Sequence, residues 1–197
     1  MNIIDTNLEF RKLNYINKPN NIILHHAAHS NCSVYDVHRW HKDDRGWSGI
    51  GYHFFITKEG LIYRGRPEKA IGAHCLNHNS NTIGICTQGN YTKENMPVGQ
   101  EKSLIELCIY LCTKYGIKTI NGHRELNLTD CPGIYYPLKK IKKEALYKTQ
   151  EIDNYTVKCG DTLWSISKQF NMSVNELKKL NYLNTDIIYP NQILRIL

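Results

Sequence analysis

Along the first 147 residues the apolar positions fall mostly into short runs broken by turn-forming residues, with helical spacing taking over in between. Asn21–His25 (NIILH) reads as a buried strand that ends on a histidine. Ser33 followed by Asp36 has the form of a helix start, carried on by Val37 and Trp40 and stopping near Gly46. Gly51–Ile56 (GYHFFI) and Leu61–Tyr63 flank the turn signal Lys58-Glu59-Gly60, which predicts a hairpin. Thr82–Thr87 (TIGICT) is a further short strand. Between Gln100 and Tyr115 the residues Leu104, Leu107, Cys108, Leu111 and Tyr115 recur at helical spacing, and Gly116 supplies the terminating glycine. A strand over Ile117–Ile120 leads into a loop, Gly122–Gly133, crowded with chemically active side chains. Lys139–Lys143 reads as the solvated face of a helix. Strands alternating with helices predict an α/β layer built on one sheet.

The pattern changes near Tyr147. Residues 149–154 (TQEIDN) are polar and non-periodic, which predicts a linker between a domain at 1–148 and a second at 155–197. In the second, YTVKC reads as a strand. Asp161 is expected to cap a helix with Leu163, Ile166 and Phe170 on one face. Ser173 and Glu176 form a capping box for another helix bearing Val174, Leu177 and Leu180, and Ile187–Ile196 closes the unit as a strand. The expected order is strand, helix, helix, strand.

The 197 residues are 41% hydrophobic and 22% charged, an ordinary globular balance that excludes a mostly disordered chain. No run approaches the roughly 18 apolar residues of a membrane span, so stable membrane insertion is not expected. Asp5, Glu9, Arg11 and Lys12 interrupt the stretch where a signal peptide would be apolar, so the expectation is synthesis in the cytoplasm. The net charge of +7 suits any polyanion, but no nucleic-acid motif accompanies it. Seven cysteines without an export signal predict reduced thiols, one of them free for metal binding or nucleophilic attack.

His25 at a strand end, with His123 and Cys131 in one loop, could hold a metal through two imidazoles and a thiolate while leaving a fourth position open. His25 and His29 have the spacing of a helical zinc motif, but they follow a strand and no glutamate comes after His25. Cys131 as a nucleophile activated by a histidine is the third option. The helical reading is therefore poor, and spacing by itself leaves the metal site, the nucleophile and a plain structural reading (core His25, loop His123, buried Cys131) standing.

The segments IILHHAAHS, WSGIGYHFFITKEGLIYRGRP, IGAHCLNHNSNTIGIC and NGHRELNLTDCPG, in that order, resemble the zinc-dependent N-acetylmuramoyl-L-alanine amidases of the type 2 family. That family includes phage lysozymes and animal peptidoglycan recognition proteins. The resemblance implies an α/β fold with a mixed central sheet flanked by helices. It also implies Zn2+ on His25, His123 and Cys131, and hydrolysis of the amide joining the muramoyl lactyl group to L-alanine. Tyr52 corresponds to the family's tyrosine beside the scissile carbonyl. Thr129 stands where phage lysozymes carry lysine, making it a candidate second helper. His74 falls where relatives line the substrate groove, whereas His53 and Cys86 are expected to pack the fold and Trp40 and Trp47 to be core and rim and not sugar platforms. His26, His29, His38, His41 and His78 receive no role.

Tyr155–Leu197 resembles a LysM module, a βααβ unit that binds chitin-like and peptidoglycan glycans. Its groove would involve Gly160, Asp161, Thr162 and Leu163 with Asp186, Ile187 and Ile188. Together the two resemblances imply a wall-anchored enzyme whose partner is bacterial peptidoglycan. Without an export signal it would act as a phage endolysin released by a holin-type partner. A mother-cell lytic enzyme is the second biological setting, and a recognition protein without turnover is the alternative function.

Overall fold

Residues 21–26 and 82–87 are nearly all apolar because the strands they form are covered on both faces, as central parallel strands are. The computed structural model describes residues 1–150 and 153–196. It divides the chain into two compact units, Met1–Leu146 and Tyr147–Leu197.

The first unit carries strands β1 (Ile3–Ile4), β2 (Asn21–His26), β3 (Phe54–Ile56), β4 (Ile62–Arg64), β5 (Thr82–Thr87) and β6 (Ile120–Gly122), with helices α1 (Val34–Arg39), α2 (Val98–Tyr115) and α3 (Leu138–Gln150). The strands form one mixed sheet in the order β1-β4-β3-β5-β2-β6. Only the β3–β4 hairpin is antiparallel. Because side chains alternate across a strand, Ile22 and Leu24 of β2 join Ile83 and Ile85 of β5 in a core with Leu104, Leu107, Cys108 and Leu111 of α2. Phe55 and Cys86 turn the other way, toward Val34 and Val37 of α1. His25, paired with Cys86 in the β2–β5 register, belongs to this second face.

Several boundaries differ from those read in the sequence, each for a hydrogen-bonding reason. Ser33 and Asp36 do form a capping box, but α1 passes at Trp40 into a π-helical turn, Trp40–Asp44. The strand expected from Gly51 begins only at Phe54. The carbonyls of Gly51, Tyr52 and His53 instead accept from the amides of Ala73, Arg66 and Gly65, outside the ladder. Helix α2 ends at Gly116, whose φ of +67° is left-handed. Ile117 N still donates to Cys112 O there, so β6 starts at Ile120 and not at Ile117. The short β1, beside β4, was not foreseen. Among the described residues no helix is long and apolar enough to cross a membrane.

The second unit contains β7 (Asp153–Thr156), α4 (Leu163–Gln169), α5 (Val174–Asn181) and β8 (Ile193–Ile196), with β7 and β8 antiparallel. Val157, Leu163, Ile166, Leu177, Leu194 and Ile196 form its core. Ser173 and Glu176 make the expected capping box. Asp161, however, does not cap α4. Its carboxylate accepts from Lys158 N at 2.7 Å and from the Tyr155 hydroxyl at 2.8 Å, closing the preceding turn, and Thr162 Oγ1 takes the cap by accepting from Ser165 N at 3.0 Å. The closing strand covers only Ile193–Ile196, because Gln192 N donates to Tyr189 O in a turn just before it. Of residues 149–154, Thr149 and Gln150 end α3, Asp153 and Asn154 begin β7, and Glu151 and Ile152 lie outside the described residues.

Candidate metal centre

Parallel pairing of β2 with β6 places Leu24 opposite Gly122, so the next residues, His25 and His123, emerge side by side at the carboxyl ends of the two strands. Their ring centroids lie 4.6 Å apart. Such strand ends are where open α/β sheets place ligands. The loop after His123 folds back through two bonds: Arg124 N donates to Cys131 O at 2.7 Å, and Cys131 N donates to Thr129 Oγ1 at 3.3 Å. Cys131 Sγ thereby comes within 3.7 Å of His25 Nδ1. One ligand atom from each of His25, His123 and Cys131 lies within 4.8 Å of the other two, and no other such group of three occurs among the described residues.

The electrostatics of this cluster fit a bound cation. Burial holds His25 well below the ordinary histidine value, with His123 and His26 adding to the effect, and burial lowers His123 as well. Both rings are neutral and can offer a lone pair. Burial pushes the Cys131 thiol up to about 12, so its sulfur ionises at neutral pH only beside a positive charge. Two imidazoles and one potential thiolate form the donor set of a borderline-soft divalent metal.

A groove of about 550 Å³ runs past His123 and is lined also by Tyr52, His74, His41, Trp47 and Arg66. Tyr52 lies 5.0 Å from His25 between ring centroids. Burial, followed by the neighbouring thiols of Cys86 and Cys131, raises its phenol well above the ordinary tyrosine value. At neutral pH it is a hydrogen-bond donor.

Residues 15–134 match the family model described as N-acetylmuramoyl-L-alanine amidase. The chain belongs to this amidase family. Residues 155–197 match the LysM domain model. Among solved structures the chain is similar to the N-acetylmuramoyl-L-alanine amidase LysC from Clostridium intestinale URNW, with 41% identity and a TM-score of 0.71, covering 73% of this chain and 97% of that one. It is 35% identical over 107 residues to the endolysin of Escherichia phage T7, covering 52% of this chain and 70% of the relative. It is 33% identical over 122 residues to peptidoglycan-recognition protein SC2 of Drosophila melanogaster, covering 56% and 66% respectively.

Within the amidase unit, His25, Tyr52, His74, His123, Thr129 and Cys131 all fall inside the matched span. His74 is only 8% exposed, and its Nδ1 lies 3.1 Å from His25 Nε2, so it touches a candidate ligand as well as the groove. Thr129 Oγ1 is engaged by the Cys131 amide. His53 and Cys86 are buried, as expected of packing residues. Trp47, read as core and rim, lies on the groove wall with Arg45 over its ring at 5.2 Å. His41 was given no role. Its Nδ1 accepts from Gly51 N, and its ring lies 4.8 Å from Trp47 along the groove. Nothing in its spacing separates it from a packing histidine, because the π-helical turn that aims it has no apolar period of its own.

In the LysM unit the candidates divide. Leu163, expected in the glycan groove, is 3% exposed in the core, and Ile188 packs partly against the same core. Gly160 takes a φ of +89° in the turn after β7, and Thr162 caps α4. Asp186 pairs with Lys178, and Ile187 is exposed.

Proposed function

We propose that the chain is a peptidoglycan hydrolase that cleaves the amide between the lactyl group of N-acetylmuramic acid and L-alanine of the stem peptide. The observation that carries this reading is the convergence of His25, His123 and Cys131 beside a groove that presents the protonated phenol of Tyr52. His25, His123 and Cys131 are the residues to hold zinc, with two nitrogens and one sulfur leaving a position for the reaction. When bound, the ion supplies Lewis acidity for amide hydrolysis at neutral pH. Tyr52 donates its hydroxyl hydrogen to the scissile carbonyl oxygen as that atom gains negative charge. Thr129 holds the Cys131 amide and so fixes the loop that brings the sulfur to the two rings. His41 and Trp47 flank the bound peptide along the groove wall.

The LysM unit serves as the wall anchor, with Gly160, Asp161, Thr162, Asp186 and Ile187 forming its glycan-facing loops. Residues 149–154 join it to the amidase domain. A tether of this kind raises the effective concentration of the hydrolase at its polymer. We read the biological setting as that of a phage endolysin, made inside the host and given access to the wall by a holin-type partner. The similarity to phage endolysins supports this setting.

Digestion of purified sacculi by the full chain tests the reaction. The expected products are new N-terminal L-alanine and no new reducing sugar ends. New reducing ends would make the enzyme a glycosidase. Sacculus binding with no release of either would leave a recognition protein.

A further inference from the structure

We propose that Thr82 and His74 are positioning residues that decide which nitrogen of His25 carries the proton. The argument starts from a backbone carbonyl, which can only accept. His78 O lies 2.8 Å from Thr82 Oγ1, with Asn79 O a second acceptor at 3.3 Å, so the single hydroxyl hydrogen of Thr82 is spent on the main chain. Thr82 then faces His74 Nε2, 3.3 Å away, with a lone pair, and that nitrogen must carry the hydrogen. A neutral imidazole protonated at Nε2 is bare at Nδ1. His74 Nδ1 therefore accepts across the 3.1 Å contact, and His25 Nε2 donates. The remaining nitrogen of His25, Nδ1, is left with an open lone pair 3.7 Å from Cys131 Sγ. A one-way chain from main-chain carbonyl to hydroxyl to imidazole thus presents His25 in the form a metal requires.

The surroundings hold the His74 ring in this orientation and offer it no other partner from His53. The His74 ring sits in a slot between two glycine backbones: a Cβ at Gly72 would lie 2.4 Å from its Cδ2, and a Cβ at Gly84 would lie 2.5 Å from the same atom. His53, edge-on to His74, offers no competing partner. Its Nδ1 accepts from Gly84 N and its Nε2 donates to Ala70 O, both at 2.9 Å. Outer partners that orient a ligating histidine are most often carboxylates, carbonyls or water. Here a second histidine fills that place, with its own orientation set by Thr82.

The consequence for zinc rests on reading His25, His123 and Cys131 as the metal centre, whereas the tautomer itself does not. Long-range proton–nitrogen correlation spectra of the metal-free full chain report the protonated nitrogen of each ring directly. Nε2–H is expected on both His25 and His74 in the wild type, and loss of the single tautomer in the near-isosteric Thr82→Val. Competition with a chelator then measures zinc. His74→Phe should bind it roughly 10- to 100-fold more weakly, with partial recovery in His74→Gln, whose amide can again accept from one side and donate to the other. Nδ1–H on His25 in the wild type would overturn the proposal, as would wild-type zinc affinity in folded His74→Phe. An unchanged tautomer and affinity in Thr82→Val would remove Thr82 from the chain. If the wild type itself bound no zinc, the metal centre would fall, and the spectra would still decide the proton order.

Discussion

His25 Nδ1 lies 3.7 Å from Cys131 Sγ, although 106 positions separate the two residues. Neither is equipped to stand alone there: the ring is buried and neutral, and the thiol is pushed up to about 12. Elemental analysis should therefore find one zinc per chain in the wild type and a substoichiometric amount in Cys131→Ser and His123→Ala. Chelation should abolish turnover. It should also lower the melting temperature, since zinc at about 100 times its dissociation constant stabilises a folded protein by about 2.7 kcal/mol. A melting curve indifferent to zinc would contradict this account.

Tyr52→Phe removes one hydroxyl and leaves the ring in the groove. The expected result is a fall of about 10²–10³ in kcat with KM nearly unchanged, because the bond strengthens as the carbonyl oxygen becomes anionic. Equal turnover by the variant in a soluble muropeptide assay would remove Tyr52 from the chemistry.

Glu94 ties three loops together. Its carboxylate pairs with Lys58 Nζ at 2.6 Å and accepts from Asn90 N and Ser30 Oγ, each at 2.7 Å. The hydrogen bond from Lys58 is the main cause lowering its pKa to about 2, against an ordinary value of 4.5. A carboxylate depressed by folding stabilises the fold above its unfolded value, and that contribution fades as pH falls through its folded value. Glu94→Gln should thus cost about 1–2 kcal/mol at pH 7, with the gap to wild type narrowing between about pH 4.5 and 2. Urea titrations at the two ends of that window provide the check, and a gap independent of pH would refute it.

Leu177 is fully buried in the small core of the second unit. Truncation to alanine costs about 2–5 kcal/mol at such a site, a large share of what a unit of this size can hold. Leu177→Ala is expected to melt the second unit at a lower temperature while amide cleavage of soluble muropeptides persists. Calorimetry shows both if the units unfold separately, and a common shift of both transitions would argue against their independence.

Deleting residues 155–197 should weaken binding to intact sacculi and slow their digestion, yet leave cleavage of soluble fragments unchanged. Pull-down with insoluble wall gives the answer. Equal retention of the truncated chain would mean that the LysM unit is not the anchor.

Much of the architecture is legible in local signals. The run at Asn21–His25, the helical spacing ending at Gly116 and the capping box at Ser173 depend on neighbours a few positions away, and each lies in an element of the expected type, the strand running one residue further to His26. Local reading fails where a distant group competes for a backbone or side-chain atom. Loop residues 65–73 claim the carbonyls of Gly51–His53, so the strand starts late. Tyr155 and Lys158 claim the carboxylate of Asp161, so Thr162 becomes the cap. The groove residue His41 carries no local signal, because the π-helical turn that holds it packs through Trp40 against residues distant in the chain, and Trp47 is brought beside it by its own amide donating to His41 O.

The sequence by itself determined most of the element types, the two-unit order and, through four motifs in series, the family. Those features depend on residue chemistry and short-range periodicity, which the chain carries whatever its path in space. Only the tertiary structure decided that His25 and His123 stand side by side, since that follows from parallel register between strands nearly a hundred residues apart. It likewise decided that His74 touches His25 as well as lining the groove, because the contact between the two rings joins residues far apart in the chain.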